Sequence, residues 1–157
     1  PKQEIGKQMM CFFVKKDSLW KYNGEKSLNK LKIGIAKDTS IEELNLYIEK
    51  NKSQFQYLPY SKSYITQSLK KLDRDRYDTF LFTKNSTIYK INSLGLKANY
   101  KIAGCVSSAN IYMAFTSNIK NKKEVENIIN FFDTNIEKLK NTDKIDEIMN
   151  KYGLKNW

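Results

Sequence analysis

The sequence predicts an α/β fold: a mixed, mostly parallel sheet flanked by helices, with two further helices at the C-terminal end. Three observations point to it. Short apolar runs of strand length recur along the chain, stretches with helical periodicity fill most of the gaps between them, and several helix starts and stops carry the residue types that backbone chemistry favours there. The strand-like runs are "CFFVKK", "LKIGIA", "FQYLPY", "YDTFLF", "YKIAGCV" and "IYMAFTS". With 157 residues, 40% of them hydrophobic, the chain has the size of one domain and enough apolar surface for a core.

After "LKIGIA", Ser40 and Glu43 form an S-x-x-E capping box, in which each side chain satisfies a free amide at a helix start. Ile41, Leu44 and Ile48 then fall on one face, so the spacing predicts a helix from Ser40. A second helix is expected from Ser61, presenting Ile65, Leu69 and Leu72. A shorter one after Asn85 presents Ile88, Ile91 and Leu94 before Gly95 stops it. Both read as crossovers between parallel strands. From Lys122 to Lys140, Val125, Ile128, Ile129, Phe132, Ile136 and Leu139 keep a helical period and predict a long amphipathic helix. Thr142 or Asp143 caps a last one, with Ile145, Ile148, Met149 and Tyr152 on one face and Gly153 at its end.

Composition narrows the function. Twenty-eight basic against 17 acidic residues give a formal charge of +11, which favours anionic partners at long range. The lysines are scattered in ones and twos, however, and Arg74 and Arg76 are the only arginines, so the residue that grips phosphates and bases in fixed geometry is scarce. No RNP-like motif, zinc-finger spacing or basic heptad occurs. The excess reads as a solvated basic surface, and no nucleic-acid partner is expected.

No apolar run approaches the roughly 20 residues needed to span a bilayer. The opening "PKQEIGKQ" has neither the three-part organisation of a secretory signal nor an initiator methionine, and is expected to start a mature or trimmed product.

Enzyme readings find little to build on. The chain has no histidine, the commonest general base and metal ligand. Cys11 and Cys105 are too few for a structural zinc site and lack Cys-x-x-Cys partners. No G-x-S-x-G elbow, Walker loop or G-x-G-x-x-G fingerprint is present, and the acidic residues lie mainly in helices beside lysines, where i,i+4 pairing accounts for them. Neither catalysis nor a cofactor is expected. "NST" at Asn85 reads as a helix cap rather than a glycosylation acceptor. The two cysteines stay open between a disulfide in an exported protein and two buried thiols in a reducing compartment.

Asp38, Thr39 and Ser40 are the candidate binding residues. They fall at the carboxyl end of an expected parallel strand, where α/β sheets place ligands, and at a helix start whose free N–H groups attract anions. Ser40 is also explained as a cap, and Asp38, Glu42 and Glu43 bring negative charge to the same end.

Five segments together resemble the type II periplasmic solute-binding proteins, in the group of polar amino-acid binders of ABC transporters: "CFFVKKDS", "SLNKLKIGIAKDTS", "LDRDRYDTFLFTKN", "IYMAFTSN" and "KIDEIMNKYGLKNW". In that family two α/β lobes close over a small solute and two strands form the hinge. The resemblance implies hinge strands at residues 11–15 and 111–115, a second lobe over 16–110, and C-terminal helices over 118–157 that would pack on a first lobe whose strands would precede Pro1. It implies a non-enzymatic, periplasmic or extracytoplasmic protein that hands a small polar or anionic solute to a membrane permease.

Residue by residue, Thr39 matches the family threonine that hydrogen-bonds the ligand, and Ser40 the residue beside it. Asp38 stands where a glycine is usual. Thr83 stands where amino-acid binders place an aspartate for the ligand's amino group, and a neutral hydroxyl cannot balance an ammonium in a closed cleft. The alternative reading is a truncated lobe acting as an interaction module or homodimer through the C-terminal helices, whose Phe131, Phe132, Ile136 and Ile148 would then be uncovered.

Overall fold

The computed structural model describes residues 1–39, 41–116 and 122–156. The chain forms two compact units, one comprising Met9–Ser108 and the other Pro1–Gln8 with Ala109–Trp157. Five strands are present among the described residues: β1 (Glu4–Lys15), β2 (Ile33–Ala36), β3 (Phe55–Leu58), β4 (Thr79–Thr83) and β5 (Tyr100–Tyr112). The helices are α1 (Asn45–Lys50), α2 (Tyr64–Asp73), α3 (Lys84–Ser93), α4 (Lys122–Lys140) and α5 (Lys144–Lys151). The first and last of the strands contribute residues to both units.

In the Met9–Ser108 unit the sheet has the order β3-β2-β4-β1-β5. β2 runs parallel to β3 and to β4, with Ile35 opposite Tyr57 on one side and Leu81 on the other, while β1 is antiparallel to β4. The sheet is therefore mixed: its parallel pairs fit the crossovers that the sequence pattern predicts, and the antiparallel pairing of β1 does not follow from that pattern. Side-chain alternation divides the core into two layers. Met10, Phe12, Val14, Ile33, Ile35 and Leu81 pack with Leu28, Ile41 and Leu44 on one face, and Cys11, Phe13, Phe80 and Phe82 pack with Tyr64, Leu69, Leu72 and Ile91 on the other. Burial on both faces is why "MMCFFV" and "TFLF" read as unbroken apolar runs. Cys11 and Cys105, on neighbouring strands β1 and β5, are joined in a disulfide.

Three expectations for this unit need correction. The helix expected from Ser40 begins as a 3-10 turn over Glu42–Leu44, and α1 follows with only six residues. Ile41 and Leu44 are both fully buried, and a 3-10 turn, which stacks residues three apart, puts the two on one side at once. The helix expected from Ser61 starts at Tyr64, with Ser63 as its N-cap, and Tyr64 rather than Ile65 is its first fully buried side chain. "NST" lies inside α3, whose N-cap is Thr83, so Asn85 caps nothing. The expected stop at Gly95 holds, with Gly95 at φ 69° just beyond α3.

In the other unit, α4 spans the predicted Lys122–Lys140, and α5 follows Asp143 as its N-cap and ends before Gly153 at φ 66°. The backbone amides of Lys2 and Gln3 donate to the Asp133 carboxylate at 2.9–3.0 Å, and Lys140 Nζ meets Glu4 at 2.8 Å, so α4 holds the start of β1 through polar contacts. Neither α4 nor α5 contains a buried side chain. The strand expected over 111–115 stops at Tyr112, as the end of a single strand that begins at Tyr100.

Candidate functional site

The parallel register of β2 and β4 sets the candidate site. Ile35 lies opposite Leu81, so the residues that follow β2 and the last residue of β4 emerge at the same carboxyl edge of the sheet. The ladder runs one step past β2, where the Lys37 amide donates to the Leu58 carbonyl at 2.7 Å. Asp38 then turns the chain with φ 61°. This is the left-handed region, which glycine enters freely and which aspartate tolerates better than most side chains. Asp38 thus supplies the backbone turn that the resemblance assigns to a glycine, and adds an exposed carboxylate there.

Thr39 follows, half-buried, and makes no side-chain hydrogen bond among the described residues. Ser40 lies outside the described residues. Ile41 donates its amide to Asn45 Oδ1 at 3.0 Å, a side-chain substitute for the helical bond. The field of a well-formed helix N-terminus, expected here from the capping box, is reduced to that of one 3-10 turn and a six-residue helix.

Across the edge, Thr83 ends β4, pairs with Met10 of β1 and serves as N-cap of α3 without a side-chain capping bond. Its carbonyl accepts the Thr87 hydroxyl at 2.8 Å, and its own Oγ1 makes no hydrogen bond among the described residues. The parallel register therefore brings Thr39 and Thr83 to one edge, neither hydroxyl being hydrogen-bonded among the described residues. Tyr60, missed from the sequence, stands just past β3 with its ring 6.0 Å from that of Phe82 and 74% exposed. The signal for it was present in "YLPY", where Pro59 ends a strand and leaves an aromatic at the sheet edge.

The interior of β2 is set by one close approach. The Tyr77 ring lies against Gly34, where any Cβ would overlap it. Burial pushes the Tyr77 phenol up to about 12. Tyr64 is raised by the same cause, and Tyr100 by burial together with its bond to Asp73. All three remain protonated at neutral pH and serve as structural groups rather than bases.

A cavity of about 300 Å³ opens at the other end of the sheet, where Leu31 precedes β2 and Asp78 precedes β4. Trp20 and Asp17 line it with the Lys15–Asp75 ion pair. Its hydrogen-bonding groups are largely committed within the fold: Asp78 accepts the Lys32 amide at 2.7 Å and Trp20 Nε1 donates to the Ser27 carbonyl at 2.9 Å. No group of three His, Cys, Asp or Glu side chains arranged to hold a metal occurs among the described residues.

No family model matches the sequence, and comparison with curated proteins returns no match. Solved structures do match. A mutant of ArgBP from T. maritima superposes at TM-score 0.63 with 16% identity, covering 96% of this chain and 59% of that one. The L-cystine solute receptor of Neisseria gonorrhoeae, in its unliganded open conformation, gives 0.65 with 16% identity over 95% of this chain and 57% of its own. A histidine kinase sensor domain with similarity to periplasmic binding proteins gives 0.63 with 16% identity over 95% and 60%. The chain has the periplasmic-binding-protein fold, and spans about three fifths of the length of these structures.

Proposed function

We propose that the chain is a solute-binding protein, or part of one, that takes a small polar or anionic solute outside the cytoplasm and delivers it to a membrane permease of the ABC type. The observation that carries this reading is the pair of hydroxyls, Thr39 and Thr83, uncommitted among the described residues and placed at the carboxyl edge of two adjacent parallel strands. The likeness to ArgBP and to the L-cystine receptor supports it. In this proposal Thr39 and Ser40 donate to the solute from one strand end, Thr83 faces them from the next, and Asp38 shapes the turn. β1 and β5, which have residues in both units, are the proposed hinge strands.

The ligand set contains no buried carboxylate, so an ordinary α-amino acid with its ammonium group is disfavoured relative to an anion or a neutral polar solute. The protein acts by binding, without catalysis. A thermal-shift panel of amino acids, dicarboxylates and other small anions tests the proposal. A true ligand at one hundred times its Kd stabilises by about 2.7 kcal/mol, a shift of several degrees. Thr39→Ala is expected to cut that shift by about half or more at the same solute concentration while leaving the unliganded melting temperature in place. A panel without any shift would defeat the proposal.

A second reading is favoured by the C-terminal helices. Phe131 is 72% and Ile148 52% exposed, and apolar side chains uncovered to this extent tend to find a partner. In this reading the chain is a non-catalytic interaction module that dimerises through α4 and α5. Light scattering on the eluting peak separates the two: a monomer at all concentrations excludes the dimer.

A further inference from the structure

We infer that the face of the Met9–Ser108 unit built by α2 and α3 is a docking surface for an anionic lipid bilayer. The chain's positive charge is unevenly placed: this unit carries 18 basic and nine acidic residues, against ten and eight in the other. Within the unit the excess is again one-sided. From Ser61 to Lys101, the stretch that contains α2 and α3, there are nine basic and three acidic residues. From Lys16 to Gln54, which holds α1 and the opposite core layer, there are eight and six. The two helices cover the same side of the sheet, since Leu69 and Leu72 of α2 and Ile91 of α3 share one core layer.

The three acidic residues of this stretch are already engaged. Asp73 accepts the Tyr100 hydroxyl at 2.8 Å, Asp75 pairs with Lys15, and Asp78 accepts the Lys32 amide. None of the nine basic side chains makes an ion pair among the described residues. The first turn of α3 has no acidic residue, and none follows Asp78 before Glu124. A solvated surface normally intersperses both signs; here Lys62, Lys70, Arg74, Arg76 and Lys97 are exposed without an ion-pair partner among the described residues, while Lys71 lies over the Tyr77 ring, and three carboxylates stand against nine cations.

The kind of cation selects the partner. Seven of the nine are lysines, compact point charges that suit a fluid array of headgroups, whereas a nucleic acid is best gripped by arginine forks. Tyr89 and Leu94 of α3 and its C-terminal cap, 48% and 41% exposed, add apolar contact of the kind rewarded at a lipid interface. No described helix is long and apolar enough to cross a membrane, and the proposed contact is one of this face with the bilayer surface. It stands whether or not Thr39 and Thr83 hold a solute.

Vesicle co-sedimentation tests it with the whole chain. Vesicles of phosphatidylcholine with about 30% phosphatidylglycerol are expected to pull the protein down at about 50 mM salt and release it as salt screens the attraction, while pure phosphatidylcholine vesicles do not. Reversing four exposed charges of the face, Lys62→Glu, Lys70→Glu, Arg74→Glu and Lys97→Glu, is expected to weaken partitioning by about tenfold or more. The same number of reversals on the opposite layer, Lys21→Glu, Lys26→Glu, Lys50→Glu and Lys52→Glu, is expected to weaken it several times less. Melting temperatures of both variants confirm that each is folded. Equal loss in the two variants, binding to the neutral vesicles, or tighter binding to a duplex oligonucleotide at the same salt would each overturn the proposal.

Discussion

Removing the Cys11–Cys105 disulfide should cost the Met9–Ser108 unit a large share of its stability. The two cysteines are separated by 94 residues, and the loop they close contains nearly the whole unit. In the chain-entropy account, a cross-link over a loop of this length destabilises the unfolded chain by about 4.7 kcal/mol at 25 °C. A domain of this size has roughly 5–15 kcal/mol of stability in total. Urea unfolding followed by tryptophan fluorescence, with and without reductant, reads the difference directly, because Trp20 packs edge-on against Phe12 in the core. Reduction should lower the midpoint strongly and steepen the transition, since the reduced unfolded chain exposes more surface. A thiol titration of the denatured, unreduced protein should find no free thiol. Two reactive thiols, or a stability difference below about 1 kcal/mol, would refute the reasoning, since the model of an unfolded state freed by losing this link demands more.

Other outcomes follow from single contacts. Gly34→Ala places a methyl group on the buried Tyr77 ring and should destabilise by about 1–3 kcal/mol, visible as a melting temperature several degrees lower. A wild-type melting temperature would show that the ring can move aside. Asp133 is held below the usual carboxylate range, first by the amide of Lys2 and then by that of Gln3. A depressed folded-state pKa means that its contribution is present above the ordinary aspartate value and is lost as pH falls through the lowered one. Amide exchange at Lys2 and Gln3, corrected for intrinsic rates, should therefore lose protection on acidification. Asp133→Asn should show weaker protection already at neutral pH, and pH-independent protection in the wild type would contradict the contact.

The α/β class and most element positions were legible because they rest on periodicity. The alternation of Met10, Phe12 and Val14 with Cys11 and Phe13 is set by the pleat, and the pattern of α4 is long enough to leave no ambiguity. What failed depended on tertiary context. Ser40 and Glu43 satisfy a capping rule, but burial of Ile41 and Leu44 together favours a tighter turn. "SSAN" looked like a break between two strands, yet backbone pairing does not require apolar side chains, and β5 runs through it. Pairing of the cysteines needed the strand order, in which β1 and β5 are neighbours, and no local pattern contains that. Of the candidate residues, Thr39 was readable from its place after an apolar strand, whereas Thr83 came only from the resemblance to solute-binding proteins. Tyr60 has its signal in "YLPY", but its approach to Phe82 and the left-handed turn at Asp38 needed the folded chain.

Calorimetric titration with the solute that gives the largest thermal shift tests the central claim most directly, comparing the wild type with Thr39→Ala and Thr83→Ala. Each hydroxyl that donates to a charged solute group is expected to contribute about 1.5–3 kcal/mol, so each variant should bind roughly tenfold to a hundredfold more weakly with an unchanged fold. Wild-type affinity in both variants would contradict the account and place the solute elsewhere.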